Sequence, residues 1–99
     1  MRSFVLSDNR DTYVGFQLAG IEGVYLQEPS QYEKSFDEAV SKEYGIVFIT
    51  EKIFNKIPEK VMKQKERKSL PLVTVIPDRY GYGEYKGKMS EYIKDSVGL

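Results

Sequence analysis

Asp8, Asn9, Asp11 and Thr12 crowd the start of the stretch SDNRDTYVGFQLAG, directly after the apolar run Phe4–Leu6. Oxygen donors at such a strand-to-helix handover are what a magnesium ion or a transferring phosphoryl group requires. Two further sets of oxygens occupy comparable places. Thr50 ends the run IVFIT and Glu51 follows it, and Asp78 follows LVTVIP. If the fold gathers these three ends, the chemistry on offer is oxygen-only: Mg2+ and phosphoryl transfer around Asp8, Asp11 and Glu51. Other chemistries are excluded by composition. The 99 residues include no histidine and no cysteine, which removes imidazole bases, thiolate nucleophiles, zinc sites of the usual ligand types and disulfides.

The elements that must position these residues follow from the pattern. Short β-branched or aromatic runs predict strands at Phe4–Ser7, Val24–Gln27, Ile46–Thr50 and Leu72–Ile76. The last two are continuously apolar, which is how strands covered on both faces read. Helical segments lie between them. Val14 and Leu18, at i and i+4, predict the buried stripe of a first helix, with Gly20 placed to end it at a positive φ. A second helix begins at PSQYE. There Ser30 and Glu33 have capping-box spacing, worth about 1 kcal/mol, and Tyr32, Phe36, Ala39 and Val40 form the inner face. A third segment, Glu51–Lys68, carries Ile53, Ile57 and Val61 inward and contains Pro58. A proline inside a helix costs about 3 kcal/mol, so the segment kinks or restarts with Pro58 in a new first turn. Met89, Tyr92, Ile93, Ser96 and Val97 outline a last amphipathic helix ending at Gly98.

The order βαβαβαβα, with crossovers long enough for parallel pairing, predicts a small α/β fold. Right-handed connections make it a four-stranded parallel sheet of order 2-1-3-4 with helices on both faces, flavodoxin- or receiver-like, plus a C-terminal helix. The chain divides into an α/β body at 1–77, a Gly/Tyr-rich loop at 78–88 (DRYGYGEYKGK) and the helix at 89–99, one domain overall. Gly81, Gly83 and Gly87 make that loop a candidate hinge.

In such a sheet, ligands bind at the carboxyl ends of the strands. Phosphoacceptor receiver domains resemble this layout. They need an acidic pair after the first strand, an aspartate nucleophile after the third and a lysine ending a later one. Here the third strand ends in Thr50-Glu51, with Lys52 already on the helix, and the later strand runs Ile76-Pro77-Asp78. A phosphate cradle is no better supported, because residues 7–20 carry neither the Walker pattern nor spaced glycines. Helix initiation accounts for the same residues. Asp8 or Asn9 caps the helix, and Asp11 complements its dipole. The basic run Lys52, Lys56, Lys60, Lys63, Lys65, Arg67 and Lys68 is interrupted by Glu51, Glu59 and Glu66 in a chain of net charge +0. It reads as a solvated helix face, with no nucleic acid implied. No apolar run approaches the ~20 residues that cross a bilayer. Met1–Leu6 lacks the features of a secretory signal, so a cytoplasmic protein is expected.

With these residues in view, the sequence resembles the F subunits of V-type (archaeal and bacterial A/V-type) rotary ATPases over nearly its whole length. The resemblance is carried by DNRDTYVGFQLAGI, YGIVFITEKIFNKIP, LPLVTVIPD and YIKDSVGL. Gln17 stands where that family often has arginine. The resemblance implies a non-catalytic central-stalk subunit that needs no cofactor or metal. Such a protein binds the long coiled-coil D subunit of the stalk and couples ATP synthesis or hydrolysis to proton or sodium transport. It implies a cytoplasmic location peripheral to the membrane, held through the complex without direct membrane insertion. It also makes the last helix, through Met89, Tyr92, Ile93 and Val97, the candidate partner-facing element.

Overall fold

A computed structural model of the chain describes residues 2–77. Within them the order is β1 (Ser3–Ser7), α1 (Arg10–Leu18), β2 (Glu22–Tyr25), a one-turn 3-10 helix (Pro29–Gln31), α2 (Tyr32–Ser41), β3 (Ile46–Thr50), α3 (Glu51–Lys56), α4 (Pro58–Glu66) and β4 (Leu72–Ile76). The four strands form one sheet of order β2-β1-β3-β4, and every neighbouring pair is parallel. That is the order expected from right-handed crossovers. The loop at 78–88 and the helix at 89–99, with Gly81, Gly83, Gly87, Met89, Tyr92, Ile93 and Val97, lie outside the described residues.

The strand periodicity of two sorts side chains onto two faces. Phe4 and Leu6 of β1, Val47 and Ile49 of β3, and Val73 and Val75 of β4 share one face, as the register shows. Against it pack Tyr32, Phe36 and Ala39 of α2, Ile53 and Phe54 of α3, and Val61 and Met62 of α4, all in one buried cluster. The inner stripes read from spacing are therefore the ones used. Pro58 restarts the chain as α4 rather than kinking a continuous rod, and Ile57 between the two helices stays buried.

Several expectations need correction. The stripe of α1 is not Val14 and Leu18. Leu18 is 85% exposed and Val14 37%, and α1 contains no buried residue. Its sheet-facing side is aromatic instead. Tyr13 stacks on Tyr25 of β2 with centroids 6.2 Å apart, and Phe16 lies on Phe48 of β3 at 5.1 Å. One hundred degrees per residue puts Val14 and Leu18 on the opposite side from Phe16. The capping box at Ser30 and Glu33 does not form. Pro29, with its fixed φ, opens a 3-10 turn that contains Ser30, so Gln31 becomes the residue before α2 and makes no side-chain cap. β2 begins at Glu22, two residues before the first apolar residue of the expected run. Gly23 is paired opposite Val5, and a Cβ there would meet Val5 Cγ1 and stand 2.7 Å from Val5 O. Glycine lets the two strands come this close, and it also hides the strand from an apolarity count. Finally, no described residue covers the outer face of β4, where Leu72 is 55% exposed and Thr74 is exposed.

Gly20 ends α1 as expected, at φ +82°. Its N–H donates to Gln17 O (3.0 Å) and that of Ile21 to Phe16 O (3.0 Å), the paired bonds that close a helix through a left-handed glycine. Gln17 adds a third contact, Nε2 to Ile21 O at 3.1 Å.

Candidate functional site

The carboxyl ends of β1 and β3 do meet, and they bring Asp8 and Thr50 together. Thr50 Oγ1 donates to Asp8 Oδ1 at 2.6 Å and accepts from the Asp8 backbone N–H at 3.3 Å. Forty-two positions separate the two residues in sequence. What joins them is topology, because adjacent parallel strands end side by side. The threonine hydroxyl thus sits where a receiver-like layout would carry its phosphoacceptor, and it is already spent on the carboxylate across from it.

The other oxygens of this end are likewise engaged or dispersed. Asn9 is the N-cap of α1, with Oδ1 accepting from Thr12 N at 2.9 Å. Asp11 lies in the first turn, exposed, where its charge complements the helix dipole. Glu51 is buried as the first residue of α3, Lys52 is exposed, and Asp78 lies outside the described residues. Among the described residues, no three His, Cys, Asp or Glu side chains gather as a metal-ion site would need. The opening stretch therefore builds a capped helix start tied to β3.

Sequence reasoning missed two features. The first is Ser7, fully buried at the end of β1. Its Oγ donates to Asn9 O at 2.7 Å and accepts from Asn9 N–H at 3.0 Å, fixing the turn that delivers Asp8 to Thr50. A serine two residues before an asparagine cap was the available signal. The second lies at the opposite end of the sheet. Arg2 Nη2 holds both carboxylate oxygens of Glu22 at 3.0 and 3.2 Å, and Tyr44 OH donates to Glu22 Oε2 at 3.0 Å. The Arg2 guanidinium sits 4.9 Å over the Tyr44 ring. The Tyr44 hydrogen bond, with that from Arg2, holds the Glu22 carboxyl below the usual carboxylate range, while burial and the Glu22 partner raise the Tyr44 phenol. A lowered carboxyl pKa favours the folded state above the ordinary carboxylate pKa, and this contribution fades as pH falls through the lowered value. The arrangement ties the β1 entry to β2 and to the α2–β3 loop.

The basic run of α3 and α4 is partly committed to structure. Lys60 Nζ pairs with Asp37 at 2.8 Å, and Lys65 Nζ donates to Val73 O at 2.8 Å, with burial lowering the Lys65 pKa. Among the described residues, no helix is long and apolar enough to cross a membrane.

Known proteins resemble this chain along nearly its whole length. The family model described as ATP synthase (F/14-kDa) subunit matches residues 4–96. The chain is 29% identical over 93 residues to the F subunit of the A-type ATP synthase of Methanothermobacter thermautotrophicus, covering 92% of this chain and 88% of that one. It is 31% identical over 109 residues to the A-type F subunit of Pyrococcus abyssi, covering 100% and 96%. The F subunit of the V-type ATP synthase of Fusobacterium nucleatum is 26% identical over 81 residues, covering 82% and 76%. With a match running from the first strand almost to the last residue, this chain belongs to the family of ATP synthase (F/14-kDa) subunits.

Proposed function

We propose that the chain serves as the non-catalytic F subunit in the central stalk of a V-type rotary ATP synthase, coupling ATP synthesis or hydrolysis to proton or sodium transport. Its main partner is the long coiled-coil D subunit, with other subunits of the complex around it. The observation that carries this reading is the family match over residues 4–96, which includes both the sheet and the C-terminal segment. The Asp8–Thr50 hydrogen bond at the switch point supports it, because that bond occupies the place where a receiver-like protein would do chemistry. The protein would sit on the cytoplasmic side, held to the membrane only through the assembly.

The role is mechanical. A rotor part transmits torque only while it stays locked to its partner, which calls for a partly apolar interface of standard size or larger. Met89, Tyr92, Ile93 and Val97 supply such a stripe, and Gly81, Gly83 and Gly87 supply the hinge that lets it reach.

Co-expression with the D subunit of the same organism tests the proposal. A stable one-to-one complex is expected in size-exclusion chromatography, and no ATP hydrolysis by the isolated chain. Failure to bind this coiled-coil partner, together with Mg-ATP binding that Asp8→Ala abolishes, would replace the stalk reading with an enzymatic one.

A further inference from the structure

β4 is one edge of the sheet and β2 the other, and the fold treats them differently. Leu72 N–H donates to Gly45 O, so Leu72 and Thr74 turn their backbone groups toward β3 while those of Pro71 and Val73 turn outward. Pro71 has no N–H to offer. Gln64 Nε2 donates to Pro71 O at 3.2 Å and Lys65 Nζ to Val73 O at 2.8 Å. Two side chains of α4 thus hold the carbonyls that an incoming strand would need.

β2 has no such guard among the described residues. Leu26 N–H donates to Ser7 O at 2.8 Å. By alternation Glu22, Val24 and Leu26 face β1, and the N–H and C=O groups of Gly23 and Tyr25 point away from the sheet. Those outward groups make no hydrogen bond among the described residues. Val24 also lines a cleft of about 210 Å3 with Phe4, Ala39 and Tyr44, apolar surface that a second valine beside it would extend.

We propose that β2 pairs with itself: two copies of the free chain join β2 to β2, antiparallel, about a two-fold axis at Val24. The residues of the edge select this occupant and its register. Setting Gly23 against Tyr25 of the second copy, and Tyr25 against its Gly23, engages every outward group, because each such pair exchanges two N–H···O bonds. On the α1 face each tyrosine ring then covers the bare backbone of an edge glycine, a favourable cross-strand pair. On the other face Val24 meets Val24, apolar and β-branched. Glu22, the one charged residue of β2, falls opposite Leu26, and Arg2 already meets its charge at 3.0 Å.

The neighbouring registers fail. A slip toward the carboxyl end sets Glu22 against Glu28, and like charges directly opposite are destabilising. A slip toward the amino end sets Tyr25 against Ile21. The Ile21 N–H already donates to Phe16 O, and its C=O accepts from Gln17 Nε2. An edge that fits itself in one register is what a two-fold interface requires.

This pairing concerns the free chain and stands or falls independently of the stalk role. So short a junction lies below the size of standard interfaces, and a Kd on the order of 100 μM is expected. The test uses the full-length protein without any partner, by sedimentation equilibrium from about 10 μM to about 1 mM, a range that brackets this Kd. In a sample mixing isotope-enriched and unenriched chains, NOEs are expected between the Tyr25 ring of one copy and the Gly23 Hα of the other. Val24→Lys and Val24→Glu should each abolish association, and an equimolar mixture of the two should restore it, because position 24 faces itself across the axis. A monomer throughout the concentration range would overturn the proposal. So would a dimer without the Tyr25–Gly23 NOE, or one that survives in both charged variants. If the charged variants fail to fold, the wild-type concentration series and the NOE decide the matter alone.

Discussion

On one face of the sheet, Phe36, Ile53, Phe54 and Val61 close over Leu6, Val47, Ile49, Val73 and Val75 until none of these is more than a few per cent exposed. On the other face, α1 sets Tyr13 and Phe16 onto Tyr25 and Phe48 and goes no further. α2 buries Tyr32, Phe36 and Ala39, whereas α1, of nearly the same length, buries no residue. The difference separates two jobs. Burial of apolar surface is the main source of folding free energy, so the closed face holds the fold together. The other face, where α1 is the covering helix among the described residues, can then carry the polar link at the strand ends with little loss of stability.

The largest effect should therefore come from the closed face. Phe54 is fully buried, and Phe54→Ala is expected to cost about 3–5 kcal/mol, the range for a deleted core aromatic. Phe16 also packs ring on ring but is half-buried, and Phe16→Ala should cost well under that, because less surface returns to water. Urea unfolding of both variants checks the pair. Equal losses would mean that the two faces share the load.

Next in size is the polar link on the α1 face. Thr50→Val keeps the shape of the side chain but removes the donor to Asp8 Oδ1 and the acceptor for Asp8 N–H. A loss of about 1–2 kcal/mol is expected, set by one charge-assisted bond at a partly solvated site. Thermal unfolding of Thr50→Val and Thr50→Ser sharpens the point. Serine keeps the hydroxyl and should recover part of the loss. If valine proved neutral, the Asp8–Thr50 contact would have no role in holding the ends of β1 and β3 together.

The same contrast explains what could be read from the sequence. β3 and β4 were legible residue for residue because a short run such as IVFIT, bounded by Gly45 and by Glu51 at a helix start, has few other readings. The sheet order followed from handedness, the break at Pro58 from the missing N–H, and the inner stripes of α2, α3 and α4 from spacing alone. All of these belong to the closed face, where burial is deep enough to write a clear pattern. On the α1 face the pattern is weaker. α1 offers two stripes at helical spacing, Val14 with Leu18 and Tyr13 with Phe16, and periodicity is satisfied by both. Aromatic partners on β2 and β3 decided between them, and those are tertiary facts. The site was legible only as a place. Topology pointed to Asp8 and Thr50 at the strand ends, but no local spacing says that one hydroxyl will satisfy a carboxylate forty-two positions away.

The smallest expected effect is at Leu18, and it tests the comparison most directly. If α1 were a core helix resting on Val14 and Leu18, a charge at position 18 would be buried and the chain would not fold. The side chain is 85% exposed on the side away from the sheet, so no desolvation penalty applies. What remains is the helix dipole, since Leu18 ends a last turn that contains no basic residue. Leu18→Asp puts a negative charge by the negative end and should cost about 0.3–1 kcal/mol, while Leu18→Lys should be neutral or stabilising by a similar amount. The two variants should differ in sign, and that difference should shrink in high salt, because only a screened surface charge is involved. A collapse of folding in both would require α1 to be turned by about half a revolution. The Tyr13–Tyr25 and Phe16–Phe48 contacts would then be lost, and with them the contrast between the two faces.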